Sequence, residues 1–446
     1  MAVSIADLES QLNDFDAGKR AGALDELLRQ VQSGACDCEA QGDHFNLHAH
    51  SFYSFNGYGY SPSYLAWAGR KRGLCAMGLV DFDVLDGVDE FLAACRRVGL
   101  RAVASLETRV FVPEFADRVI NSSGEPGIAY HMGVGFVSGD VKDRTLLDRF
   151  KAIAGGRTRE LVQRVNPYLA PAALDFERDV LPRTPQGNAT ERHVCAAYDE
   201  KAREVFPDKA ARIAFWAEKL GMSAESLAAC IDDAPTLQGH IRAKTMKAGG
   251  VGYVQPNGPD FPSAADVNAF SKAQGAIPTL AWLDGTTAGE QCLDELLDVM
   301  ISQGVAAVNI IPDRNWNLKN ADEAAKKVKL LNEFVAAVQA RDLPIIVGTE
   351  MNAYGQPFVD NFDAAPMQPH HAAFLAGANI VHAHTLLQAR AGMGYVSDWA
   401  GAHFADAKAK NDFFRTLGER VFPGSEGKLD GITASSTPQE ILSRFS

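Results

Sequence analysis

Two histidines one residue apart, His48 and His50, carry the densest chemistry in this chain of 446 residues. They follow the short apolar run Phe45–Leu47. In an extended strand, residues two apart face the same side. Two imidazoles then converge on one point, as a metal ion requires. Further polar groups stand at the ends of later apolar runs. They are Asp81-Phe82-Asp83, Glu107-Thr108-Arg109, His131-Met132-Gly133, Trp282-Leu283-Asp284, Asp313-Arg314-Asn315-Trp316-Asn317 and Glu350-Met351-Asn352. The C-terminal ends of parallel strands are where an α/β barrel gathers its catalytic groups. The density of Trp282, Asp284, Trp316, Asn317 and Asn352 fits a pocket in which aromatic faces stack on sugar rings and amides bond hydroxyls.

These fragments need strands to place them and helices to connect the strands. Strand-like runs are expected at Phe45–Leu47, Ala76–Val80, Ala102–Leu106, Ala129–Phe136, Gly250–Val254, Ala276–Ala281, Ala306–Ile311, Pro344–Val347 and Ala378–His382. Helical spacing fills Tyr64–Arg72 and Val88–Val98. Alternation of this kind specifies a parallel sheet with right-handed crossovers. Four segments are expected: a helical prelude at 1–43, a first barrel part at 44–139, a helical insertion or lid at 140–247, and a second barrel part with C-terminal helices at 248–446. The prelude shows apolar positions at helical spacing from Leu8 to Val31 and stops at Gly34. The insertion is rich in Ala, Leu, Glu, Lys and Arg and has almost no β-branched runs.

Composition narrows the function. The chain is 46% hydrophobic and 22% charged, with a net charge of −13. A surface this acidic argues against nucleic acid and anionic membranes as main partners, and no run of 18 apolar residues exists to span a bilayer. A small-molecule substrate, a sugar or a phosphorylated metabolite, fits better. Oligomeric state is left open. The seven cysteines are odd in number and scattered. Free thiols in a reducing compartment suit them, as does the absence of a basic-then-apolar start, so a cytoplasmic protein is expected. Cys36-Asp37-Cys38 is too tightly spaced for a zinc half-site.

The ordered motifs resemble those of the polymerase-and-histidinol-phosphatase (PHP) family of metal-dependent phosphoesterases. Asn46-Leu47-His48-Ala49-His50-Ser51 is similar to the family's opening. Val80-Asp81-Phe82-Asp83 matches its second motif with Phe82 in place of a histidine. Leu106-Glu107 matches the strand-end Glu, and His131-Met132-Gly133 the fourth motif. Gly275–Ala281 ends with Trp282 where the family has His. Gly348-Thr349-Glu350-Met351-Asn352 is similar to the closing motif, with Glu for Asp and Asn for His. Thr190-Glu191-Arg192-His193 and Gly250–Val254 resemble the start and exit of a helical lid.

The resemblance implies a distorted parallel (β/α)7 TIM-like barrel of PHP type with a helical insertion. It implies a metal set of His48, His50, Glu107 and Glu350, all still able to donate. Phe82, Trp282 and Asn352 remove ligands of the other two family metals, so one divalent ion (Mn, Zn or Fe) is expected rather than three. His131 or Asp284 is expected as acid/base and Arg314 as an anion or hydroxyl clamp. Arg109, Trp282, Asp313, Asn315 and Asn352 are expected to bind substrate, with Tyr58, Tyr60 and Tyr354 lining the mouth. The leading expectation is a metal-dependent hydrolase, a phosphoesterase. The alternatives are a mononuclear-metal lyase or isomerase acting on a sugar or sugar acid, and a non-catalytic binding module. His382 and His384 fit a core role or a ligand role.

Overall fold

A computed structural model describes residues 3–445. They form two compact units. The first comprises the described residues up to Ser51, then Asn56–Leu146, then those from Gly258 on; the second comprises Phe52–Phe55 and Leu147–Asn257.

The first unit is built on a mixed seven-stranded sheet. Its strands are β1 (Phe45–Asn46), β2 (Ala76–Phe82), β3 (Arg101–Phe111), β4 (Ile128–Phe136), β5 (Ile277–Trp282), β6 (Ala307–Ile310) and β7 (Ile345–Val347). They neighbour one another in chain order. Beyond β1 the chain returns to β7: Leu47 N donates to Val347 O at 2.9 Å, and His50 N to Glu350 O at 2.8 Å. The sheet is thereby nearly closed into a barrel.

The expectation of an all-parallel barrel needs correction at β4. It pairs antiparallel with both β3 and β5, whereas β1–β2–β3 and β5–β6–β7 are parallel. An antiparallel neighbour needs no helical crossover, and the chain from Phe111 to Ile128 holds only the short 3-10 turn Pro113–Phe115. Elsewhere helices cover the sheet. Helix Val88–Val98 carries the expected bounds and ends at left-handed Gly99. Ala264–Ala273 lies against β4 and β5, and His371–Ala391 against β7. The N-terminal residues form helices Ile5–Gln11 and Ala17–Gln32.

Two expected strands are absent. Gly250–Val254 is a turn: Gly250 N bonds Lys247 O and Gly252 N bonds Thr245 O, closing off helix Ala234–Thr245. Ala378–His382 lies inside the 21-residue helix His371–Ala391. That helix is buried on most sides, so its apolar run carries no amphipathic period, and periodicity cannot separate a buried helix from a buried strand. Gly377 lets it approach β7, since a Cβ there would meet Ile345 O at 1.9 Å.

The second unit contains helices Glu191–Val205, Lys209–Leu220, Ala224–Cys230 and Ala234–Thr245, and most of Thr145–Leu169. Val165, Tyr198, Trp216, Leu237 and Ile241 form its core. All seven cysteines are free thiols. No described helix is long and apolar enough to cross a membrane.

His382 and His384 sit in the core with their pKa values pulled down by burial, to about 3 and about 4. His384 Nδ1 accepts the Tyr395 N–H at 2.9 Å and its Nε2 lies 3.2 Å from Gly135 O. The ring is therefore held as one neutral tautomer. A folded pKa below the unfolded value of about 6.5 means stability is present above that pH and lost as pH falls toward about 4. Each such histidine is expected to cost about 2 kcal/mol by about pH 5 relative to pH 7. A urea midpoint that falls between those pH values, and falls less in His384→Asn, is the expected result; parallel declines in both proteins would refute the assignment.

Candidate metal centre

Strand packing brings the two histidines to Glu107, within β3. Gly348 permits the approach, since a Cβ there would lie 2.4 Å from His48 Cβ. Alternation along β3 then decides which residues meet them. Phe82, Glu107, Met132 and Thr279 are successive register partners, as are Ala281, Asn309 and Ile346. These rows face into the barrel, because Glu107 and Asn309 both reach His48.

His48 Nε2, His50 Nε2 and a Glu107 carboxylate oxygen form one buried group, with all three donor atoms within 4.8 Å of one another. The separations are 3.3 Å between the two Nε2 atoms, 3.5 Å from His48 to Glu107 and 3.2 Å from His50 to Glu107. Ligands at about 2.0–2.1 Å from a tetrahedral ion stand about 3.3–3.4 Å apart, so the spacing fits a transition-metal site. Glu107 Oε2 is buried without a hydrogen-bond partner among the described residues. An orphaned anionic oxygen facing two imidazoles is the pattern expected where a cation belongs.

Asn309 sets the tautomer. Its Nδ2 donates to Ile346 O at 3.3 Å, which turns Oδ1 toward His48 Nδ1 at 2.9 Å. His48 Nδ1 must then carry the hydrogen, which leaves the Nε2 lone pair for the centre. Burial opposes a charge on His48, but the Glu107 carboxylate overrides it and holds the pKa above the usual value. Burial pushes Glu107 up; the two imidazoles that face it outweigh this and bring it down to about 2. Phe82 stacks on His50 with ring centroids 4.3 Å apart.

Glu350 does not join the three. Its carboxylate is held by Arg314, with Gln356 Nε2 at 3.4 Å. Arg314 nevertheless interacts electrostatically with Glu107, Glu350 and Tyr130, and Glu350 with His48. Backbone strain collects here. Asp83, Glu350 and Met351 have φ of 63°, 63° and 56°, a region that costs non-glycine residues about 1–3 kcal/mol and clusters at functional sites. Asp83 is bonded by Thr108 Oγ1 at 2.7 Å, and burial raises its pKa to about 6.

Other expected residues lie elsewhere. His131 pairs with Thr108 and Leu280, the rows that face outward. It bonds Asn268 of the covering helix Ala264–Ala273 at 2.5 Å, and burial lowers its pKa to about 4. It is not an acid/base in this geometry. Trp282 also faces outward and stacks on Phe334 of helix Ala321–Gln339, centroids 4.3 Å apart. It is a packing residue rather than a substrate wall. Asp284 is tied to Lys327 on that same helix at 3.1 Å and to Thr286, which removes it from the catalytic group. Arg109 pairs with Glu125 at 2.8 Å over the Phe261 ring. Asp313 accepts from Asn317. Asn315 is buried with neither side-chain polar atom bonded among the described residues, and Asn352 is half-buried. Tyr58 stacks on Tyr60 with centroids 5.3 Å apart and meets Tyr354 at a tilt with centroids 5.2 Å apart.

Sequence reasoning passed over Asn309 and Glu290. Asn309 had a visible signal, an amide inside the apolar run Val308–Ile311. Glu290 accepts three consecutive backbone N–H groups, from Leu283, Asp284 and Gly285 at 2.7–3.1 Å, and so shapes the loop after β5.

No protein family profile matches this chain, and no curated protein does either. Among solved structures, a protein described as a metal-dependent phosphoesterase from Bifidobacterium adolescentis aligns at 18% identity with a TM-score of 0.47, over 72% of this chain and 91% of its own. An amidohydrolase from Chromobacterium violaceum, with bound sulfate and no metal, aligns at 16% identity with a TM-score of 0.48, over 75% and 96%.

Proposed function

We propose that this chain is a metal-dependent hydrolase of the phosphoesterase kind, acting on a small substrate at the barrel mouth through one divalent ion. The observation that carries the reading is the buried group of His48, His50 and Glu107 with its orphaned carboxylate oxygen. Two imidazoles and a carboxylate suit Mn, Fe or Zn. When bound, such an ion supplies positive charge to a substrate oxygen and lowers the pKa of an attacking water.

The chain's own groups supply the rest. Asn309 fixes the His48 ring, and Phe82 closes the face of His50 against water. Arg314 offers a planar fork of donors suited to a phosphoryl oxygen pair, and Glu350 orients it.

The test is metal content together with turnover. One ion per chain and phosphate release from a panel of sugar phosphates are expected. Turnover of a keto-sugar with no phosphate release would overturn the phosphoesterase reading. Arg314→Gln should lower kcat/KM by about 10²–10³-fold with metal content unchanged. Arg314→Lys should recover only part of this, because an ammonium lacks the fork. Wild-type kcat/KM in Arg314→Gln would remove the clamp.

A further inference from the structure

We propose that the opposite end of the barrel holds a second ligand site, a cleft that takes a small monocarboxylate with an apolar body. The cleft encloses about 230 Å³. Arg101, the first residue of β3, lines it together with Cys75, which directly precedes β2. Glu107 lies six residues further along β3, about 20 Å away at ~3.3 Å per residue. The site is thus separate from the metal centre, and the inference does not depend on the proposed hydrolase activity.

Arg101 is 9% exposed. Its Nη1 donates to Asn379 Oδ1 at 2.8 Å. Among the described residues its Nε and Nη2 have no hydrogen-bond partner, and no carboxylate lies within ion-pairing distance. A guanidinium is donor-only, so Asn379 must turn its oxygen toward it. The Asn379 amide nitrogen then points elsewhere, and it too has no partner among the described residues. Asn379 is 4% exposed and lines the same cleft. Two nearly buried side chains therefore present donors without acceptors along one cavity. Burying a guanidinium unpaired is costly. A planar, acceptor-only anion removes that cost, and a carboxylate matches the fork in two parallel bonds.

The surroundings narrow the ligand. Leu375, Phe422 and Pro423 provide an apolar wall. Phe422 is 61% exposed and stands 5.3 Å from the Arg101 guanidinium, open on its other face. Asp43 and Glu419 also border the cleft. Glu419 pairs with Arg415 at 2.9 Å and still acts on Arg101, and His371 stands 3.8 Å from Asp43. Their fields oppose a multiply charged anion such as phosphate more than a monoanion. Burial pushes the Cys75 thiol up to about 11, so it adds contact and no charge.

The experiment titrates the full chain with benzoate, hexanoate and inorganic phosphate, following melting temperature and binding heat. Both carboxylates are expected to raise the melting temperature saturably. Arg101→Met should weaken them about tenfold to hundredfold. Leu375→Trp fills the cleft from its apolar wall without touching the guanidinium. It should abolish the response while metal content stays at the wild-type level. Crystals soaked in bromobenzoate should show bromine beside Phe422. The proposal is overturned by the absence of any saturable carboxylate response, by a response that survives both substitutions, or by an Arg101-dependent phosphate response as strong as that to benzoate.

Discussion

Glu107→Gln is expected to abolish both metal binding and turnover while leaving the barrel folded. The glutamate is the only carboxylate in the three-donor group, and its Oε2 lies 3.2–3.5 Å from both Nε2 atoms. The amide removes the negative charge that stabilises a cation between the imidazoles. It also places a neutral, weaker oxygen donor or an N–H against their lone pairs. Outer partners of metal ligands typically cost about 10–100-fold when replaced; loss of the anionic ligand itself should exceed that, on the order of 10³-fold or more in kcat/KM. Elemental analysis should fall from one ion per chain to background. The shape is nearly unchanged, so circular dichroism should match the wild type. Wild-type metal content and activity in Glu107→Gln would remove the centre, and the proposed function with it.

His48, His50 and Glu107 were legible because their signals are local. An H-x-H pair at a strand end and a Glu closing an apolar strand need only the period of two and the direction of the chain. His131 and Trp282 were misplaced for a related reason. They stand one residue out of step with Met132 and Ala281, which face inward, and a one-residue slip moves every side chain to the other face. In β5 all six residues are buried, so hydrophobicity does not mark which face is the barrel interior. Motif order alone then assigned both residues to the mouth. Glu350 was legible as a strand-end acid, but its partner was not. That Arg314 holds it depends on where the chain after β6 turns, through Asp313–Trp316, and no spacing rule encodes that. The antiparallel course of β4 was equally hidden, since an apolar run reads the same in both directions.

The outward position of Trp282 has a measurable consequence. Trp282 is 3% exposed and lies nearly parallel to Phe334, at 12° with centroids 4.3 Å apart. Removing so large a buried ring costs transfer energy and leaves a cavity, typically about 3–5 kcal/mol. One term works the other way: Trp282 Nε1 is buried without a partner among the described residues, and its removal relieves a penalty of about 1–3 kcal/mol. Trp282→Ala should therefore destabilise the first unit by about 2–4 kcal/mol, the transfer and cavity cost less part of that relief. Trp282→Phe keeps a ring on Phe334 and sheds the orphan N–H, so it should cost less than about 1.5 kcal/mol. In both variants kcat per folded molecule and metal content should stay at wild-type values, because no atom of Trp282 belongs to the inward rows. Trp282→His should likewise recruit no second ion, as its imidazole would face helix Ala321–Gln339 and not Glu107. Urea unfolding and elemental analysis on the same preparations separate these readings. Wild-type stability with lost turnover in Trp282→Ala, or two ions per chain in Trp282→His, would return the residue to the barrel mouth and undo the register assigned to β5.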